Sequence, residues 1–222
     1  MAATAEAGKA RHKLKQGLAR GLVAGYPNGK EYVPRGCFQQ QVTRTTIRRC
    51  LPDAQKELLD FVSTSATKIF AILLYGCFLP DGISLESALQ TCRDGRLTDS
   101  KLPLPRYPED CVCDEERDFC RHAMVRYIQG EWEVYGWKQF FAHQWMFLAI
   151  EFEAGKFDYD LDEECILPIK LREGHSAGAF GDVREGELNP DHAGESGPVS
   201  RAISEMLIAA DCGTHRVADL AW

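Results

Sequence analysis

The sequence predicts a mainly α protein: a helical bundle-like domain, then an incomplete β-hairpin, then an irregular tail. Three observations carry that expectation. Apolar residues recur at three- and four-residue steps from Leu58 to Leu74, the period of a buried helix face. Aromatics crowd residues 131–152 at spacings that suit a helix packed on a bundle. After the acidic stretch Asp158–Glu164 the texture changes to Ile166-Leu167-Pro168-Ile169-Lys170-Leu171, a strand-like run.

Composition bounds the rest. With 45% hydrophobic residues in 222, the chain has enough apolar mass for a core. Its net charge of -7 excludes a general affinity for nucleic acid. Residues 1–50 carry ten Lys and Arg against two acids, a net of +8; residues 51–222 carry sixteen against thirty-one, a net of -15. Residues 1–45 are therefore expected to form a basic, largely disordered leader, with a short helix at 9–20. Such an arm suits an acidic partner, a membrane surface or the acidic body of its own chain. Nine cysteines, an odd number in no regular framework, fit a reducing compartment, with the cytoplasm expected and the nucleus as the other location. The start lacks the continuous apolar core of a secretory signal. The longest apolar run, Ile69–Leu79, is eleven residues, too short to span a bilayer.

The elements follow in order. Asp53, after Pro52, is the expected cap of one long helix carrying Leu58, Leu59, Val62, Ala66, Ile69, Phe70, Leu73 and Leu74, ended by Gly76, Pro80 and Gly82. Ser84 caps a short helix to about Cys92 with Leu85, Ala88 and Leu89 inward. Leu97–Pro108, with three prolines, reads as a loop. Asp114 caps a helix whose buried face is Phe119, Cys120, Ala123, Met124, Tyr127 and Ile128, stopped by Gly130. Trp132, Tyr135, Trp137, Phe140, Phe141, Trp145, Phe147 and Phe152 are expected to be core. The predicted organisation is a leader at 1–45, a helical domain at 46–160, a hairpin at 161–192 and a tail at 193–222. Within the hairpin Glu173–Gly181 reads as loop and Asp182–Leu188 as the returning strand; the tail offers one short helix near Ser200–Ala210.

The segment Ser176-Ala177-Gly178-Ala179-Phe180-Gly181-Asp182-Val183 carries the chemistry. Between two strands, glycines let backbone N–H groups approach phosphates with no side chain in the way. An aromatic at the tip covers the phosphates, and an apolar residue on the second strand packs on the base. Gly178 and Gly181 are the backbone glycines, Phe180 the tip and Val183 the packing residue.

With this loop the chain resembles fungal proteins in which a helical amino-terminal region leads into a serine/threonine protein kinase domain. The resemblance rests on Lys68-Ile69-Phe70-Ala71-Ile72-Leu73, Asp99-Ser100-Lys101-Leu102-Pro103-Leu104 and residues 140–148. It continues through Ile166-Leu167-Pro168-Ile169, residues 178–184 and Asn189-Pro190-Asp191-His192, and covers roughly residues 50–192. It implies ATP as the ligand of Gly178, Phe180, Gly181 and Val183. Two positions depart from the family: Ser176 replaces the first glycine, and His175 stands where an apolar residue roofs the base. Both weaken the ATP affinity that the resemblance implies.

The larger departure lies downstream. The last lysine is Lys170, upstream of the loop, so no phosphate-pairing lysine follows it, and neither an H-R-D nor a D-F-G motif is present. The chain is expected to be a kinase-like fragment, truncated after the glycine-rich loop and not catalytic alone. The alternative is a helical protein-interaction module with a vestigial hairpin, in which Ile203, Leu207 and Trp222 would cover the hairpin's apolar face. The partner of the helical domain is unknown on either reading.

Other constellations point to structure. Cys111-x-Cys113 with Cys120-x-His122 lacks the spacing that structural zinc favours. His143 has no nucleophile signature around it and is expected to be satisfied by hydrogen bonds on a helix face. The acids 158–164 lack the central glycine and terminal glutamate of a calcium loop.

Overall fold

The computed structural model describes residues 2–26, 29–76, 83–104, 136, 138–152, 159, 161–178, 181–192, 206–211 and 214–218. The protein is mainly α. Its chain divides into two units, each assembled from separated stretches: Met1–Arg20 with Phe38–Phe147, and Gly21–Cys37 with Leu148–Trp222.

The first unit begins with α1 (Ala2–Arg20), which contains the helix expected at 9–20 and extends it through the start of the leader expected to be disordered. Its apolar stripe explains the difference. Ala7, Leu14 and Leu18 recur at seven and four residues, and all three are buried. They lie on a helix packed against α3 (Arg44–Cys50) and α5 (Thr67–Gly76). Arg11 ties the helix down further, donating through Nε to the Cys50 carbonyl (2.8 Å) and through Nη2 to Glu86 (3.1 Å). A basic leader thus acquires partners through one arginine and two leucines. Between the units in sequence lies α2 (Arg35–Gln41).

Thr43 caps α3, its hydroxyl accepting from Thr46 N (3.2 Å), and Arg48 and Arg49 complement the dipole in its last turn. The long helix expected from Asp53 is two helices, α4 (Lys56–Ser65) and α5, bent by 98° at a break centred on Ala66. Gln55, not Asp53, holds the cap position, without a side-chain bond. Nothing local to Ala66 announces the break. The cause lies thirty residues on, where Asp99 receives the amino end of α5. Its Oδ2 accepts from Thr67 Oγ1 and Lys68 N (both 2.9 Å), and its Oδ1 from Ile69 N (3.0 Å). A distant carboxylate thus caps the second helix and satisfies its orphan amides.

Asp99→Ala is therefore expected to destabilise the first unit by about 2–3 kcal/mol, three bonds to a charged acceptor being lost. Asp99→Asn, which keeps one accepting oxygen, should fall between. Urea midpoints of the three proteins check this, and equal midpoints would remove the remote cap.

α5 is the centre of the first unit: Ile69, Phe70, Ala71, Ile72, Leu73 and Leu74 are all buried. No single helix among the described residues is long and apolar enough to cross a membrane. In α6 (Leu85–Asp94), Ser84 accepts from Ser87 N (3.0 Å), and Leu85, Ala88 and Leu89 face inward, as their spacing predicts, with Cys92 buried beside them. The helix that Asp114 was expected to cap lies outside the described residues. Residues 138–144 are helical and run into a 3-10 turn, Trp145–Phe147. Phe140, Trp145 and Phe147 are buried there, as the aromatic pattern predicts. His143 Nδ1 sits 2.8 Å from the Gln139 carbonyl, the satisfied helix-face histidine expected from sequence.

The second unit is β-structured. β1 (Val23–Ala24) and β2 (Glu31–Tyr32) pair antiparallel. β3 (Ile169–Gly178), β4 (Gly181–Leu188), β5 (Met206–Asp211) and β6 (Thr214–Ala218) form one antiparallel sheet in that order. This corrects the expected tail. Ile203, Leu207 and Ala210 fit a helical spacing, yet residues 206–211 are strand. Pairing with β4 on one side and β6 on the other decides the conformation, a tertiary choice that local periodicity does not express.

Candidate nucleotide loop and its anchor

The strand–loop–strand element is tighter than its sequence suggests. Glu173–Gly181 was expected to be loop, but β3 remains paired as far as Gly178, which stands opposite Gly181. Ala179 and Phe180 alone connect the two, the length of a two-residue hairpin. Val183 is opposite Ser176 on one side and Ala209 on the other, and His175 is opposite Arg184. The two glycines are thus brought together beside the connection, with Val183 two positions along β4. Phe180 lies outside the described residues.

The ladder slips between Leu171 and His175: Leu171 faces Gly186 and His175 faces Arg184, so β3 spends four residues where β4 spends two. Such a bulge bends the strand and strengthens its twist. It separates a regular base, Ile169–Leu171 on Gly186–Leu188, from a regular tip, His175–Gly178 on Gly181–Arg184. β3 is also an edge of the sheet. Amides of β4, paired on both sides, are drawn into ladders, whereas alternate amides of β3 stay outside them on the open edge.

The base is held by a small apolar cluster, Phe152, Tyr159, Leu167, Ile169 and Leu188, with Tyr26, Ile150, Leu161 and Cys165 packed on it. Phe152 and Tyr159 meet edge to face at 5.3 Å. Asn189 N donates to the Pro168 carbonyl (2.8 Å) and closes the hairpin below its first pair. Tyr26 and Leu167 exchange two backbone bonds, 3.0 and 2.7 Å. Gly25 makes that approach possible, because a Cβ there would stand 2.6 Å from the Leu167 carbonyl oxygen.

Asn189 and the 3-10 turn Pro190–His192 that follows it organise the polar side of the anchor. Asn189 Nδ2 donates to the Tyr32 hydroxyl (2.8 Å) while its Oδ1 accepts from Asp191 N (3.0 Å). Asp191 Oδ2 accepts from Gly36 N (3.2 Å). His192 is 3% exposed and stands edge-on to Tyr32 at 5.3 Å. Arg35 N donates to its Nε2 (3.3 Å), which makes that nitrogen the acceptor, so Nδ1 carries the proton shared with the Ile150 carbonyl (2.9 Å). The His192 carbonyl in turn accepts from Phe152 N (2.9 Å). Ion pairs Lys30–Glu164 (2.6 Å) and Arg35–Glu151 (2.9 Å) lie outside this core.

The titratable groups here are set for structure. Burial raises the Tyr32 phenol, the Asn189 bond opposes this, and Asp191 adds to the rise. Burial, then Asp191, raises the Cys37 thiol. Burial pushes Cys165 up to about 11, Asp162 adding and Lys30 opposing. Protonated thiols are poor nucleophiles. No group of three or more His, Cys, Asp or Glu among the described residues is placed to hold a metal ion; Cys111, Cys113, Cys120 and His122 lie outside them.

Sequence reasoning located the hairpin and missed its anchor. The Asn189–Tyr32 bond joins residues 157 apart, and no local pattern announces it. A strand does follow β4. That strand, Met206-Leu-Ile-Ala-Ala-Asp211, contains no lysine. Leu207 belongs to it, in the interior of the sheet opposite Glu185 and Ala218; Ile203 and Trp222 lie outside the described residues. No family model matches the chain, and no curated protein or solved structure is significantly similar to it.

Proposed function

We propose that the chain is the helical amino-terminal region and ATP-phosphate loop of a serine/threonine protein kinase-like protein, and that these 222 residues alone do not transfer phosphate. The observation that carries the reading is the placement of G-x-F-G-x-V on an antiparallel hairpin, Gly178 opposite Gly181 at its closed end. Gly178 and Gly181 offer backbone without side chains, Phe180 is the tip that would cover the phosphates, and Val183 is the residue that would pack on the base. Catalysis needs a lysine and metal-holding carboxylates positioned around the phosphates, and β5 and β6 supply no lysine.

Binding is expected to be weak, with a dissociation constant of about 1 mM, because Ser176 and His175 replace the residues the family uses. Titration of a fluorescent ATP analogue into the protein and into Gly181→Asp tests this. The carboxylate should abolish binding by repelling the phosphates, with circular dichroism unchanged. Equal affinity in the two proteins would sink the assignment.

The lysine-free β5 favours a second reading, a non-enzymatic helical interaction module with a vestigial hairpin. Under it, neither protein binds the analogue. The intact mass of the endogenous protein, captured through its helical region, separates a longer kinase from a product of 24.9 kDa.

A further inference from the structure

The sequence places a net of +8 in its first fifty residues, and the fold gives part of that charge a shape. A groove of about 490 Å³ runs between α1 and the end of α3, lined by Glu6, Ala7, Lys9, Ala10, Lys13, Arg49 and Pro52. Among the basic side chains of the first unit's helices, Arg11 pairs with Glu86, Arg44 with Asp60 and Arg93 with Asp94. Lys9 shares the groove's one acid, Glu6, at 3.0 Å. Lys13 and Arg49 are exposed, and no ion pair among the described residues includes either of them. The helix dipole of α3 accounts for a cation at its end, but not for the lysines of α1 facing the same hollow.

We infer that this groove binds an acidic segment of a partner protein in extended conformation. The spacing supports it. Lys9 and Lys13 are one helical turn apart, about 6 Å. Alternate residues of an extended chain stand about 6.6 Å apart on one side, so acids at every second position reach both ammonium groups. Arg49 adds a planar fork suited to a carboxylate. Between these charges Ala10 and Pro52 present a small apolar floor, fitted to short side chains. A membrane surface fits less well, because Ala7, Leu14 and Leu18 of α1 are already turned into the protein, leaving no apolar face to insert.

The test uses the full chain and a labelled peptide of alternating glutamate and alanine, followed by fluorescence anisotropy at about 0.05 M and about 0.5 M salt. Binding at low salt is expected, weakened at high salt, and reduced about tenfold or more by Lys13→Glu with Arg49→Glu. The exposed Lys138→Glu, the same charge change away from the groove, should leave it unaltered. Vesicles containing phosphatidylserine and a single-stranded oligonucleotide serve as competing anions. Equal loss with Lys138→Glu, no loss with the double variant, or tighter binding to vesicles or oligonucleotide than to peptide each overturns the proposal. Unchanged circular dichroism of the double variant excludes unfolding as the cause, and single reversals replace it should it unfold.

Discussion

His192→Ala is expected to lower the stability of the second unit by roughly 3–5 kcal/mol, combining two orphaned backbone groups with a cavity against Tyr32. The imidazole accepts from Arg35 N and donates to the Ile150 carbonyl, and both partners lie beside a side chain that is 3% exposed. Removing it leaves a part-buried donor and acceptor without their protein partner. His192→Phe separates the contributions, since it fills the volume and keeps an edge-to-face contact with Tyr32 but makes neither bond; about half the loss should remain. Hydrogen exchange at the Arg35 and Phe152 amides reads the effect locally, because Phe152 N is held by the His192 carbonyl. Unchanged protection in His192→Ala would mean the turn does not hold the hairpin's base.

Gln144→Leu carries the second large effect, about 2–5 kcal/mol in the first unit. The Gln144 amide is fully buried and binds both backbone groups of Leu104: its Oε1 accepts from Leu104 N (2.8 Å), and its Nε2 donates to the Leu104 carbonyl (3.0 Å). Leucine matches the volume and restores nothing to the backbone of Leu104, a residue that is itself buried. Both groups then go unpaired in a site of low dielectric, where the cost is highest. Gln144→Glu keeps an acceptor for Leu104 N but sets a carboxylate against the carbonyl, so it should not rescue. Chemical denaturation followed by tryptophan fluorescence gives the comparison. A leucine variant as stable as the parent would show that Leu104 finds other partners.

These two side chains illustrate what the sequence makes legible. Elements fixed by near neighbours can be read: Ser84 and its helix, the apolar faces of α4 and α5, and the aromatic core at Phe140, Trp145 and Phe147. Elements fixed by remote groups cannot. The break at Ala66 depends on Asp99, and the order of α1 depends on Leu14 and Leu18 finding α3 and α5. The tail departs from its spacing because Ile203, Leu207 and Ala210 satisfy a helical period while β4 offers residues 206–210 a partner strand. The candidate site divides the same way. Gly178, Gly181 and Val183 announce a hairpin by composition alone. The bulge between Leu171 and His175, and the hold of Asn189 and His192 on Tyr32 and Arg35, arise from pairings across much of the chain.

The division of the chain has a consequence for synthesis and for cutting. The backbone passes from one unit to the other three times, after Arg20, after Cys37 and after Phe147. A ribosome releases Gly25 and Tyr32 long before Leu167 and Asn189, their partners, exist. The second unit must therefore wait while more than a hundred residues of the first are made, a route that loop-closure entropy slows. A protease meets the same topology from the other side: one nick at any crossing leaves two covalent links, so the units stay tethered until every crossing is severed.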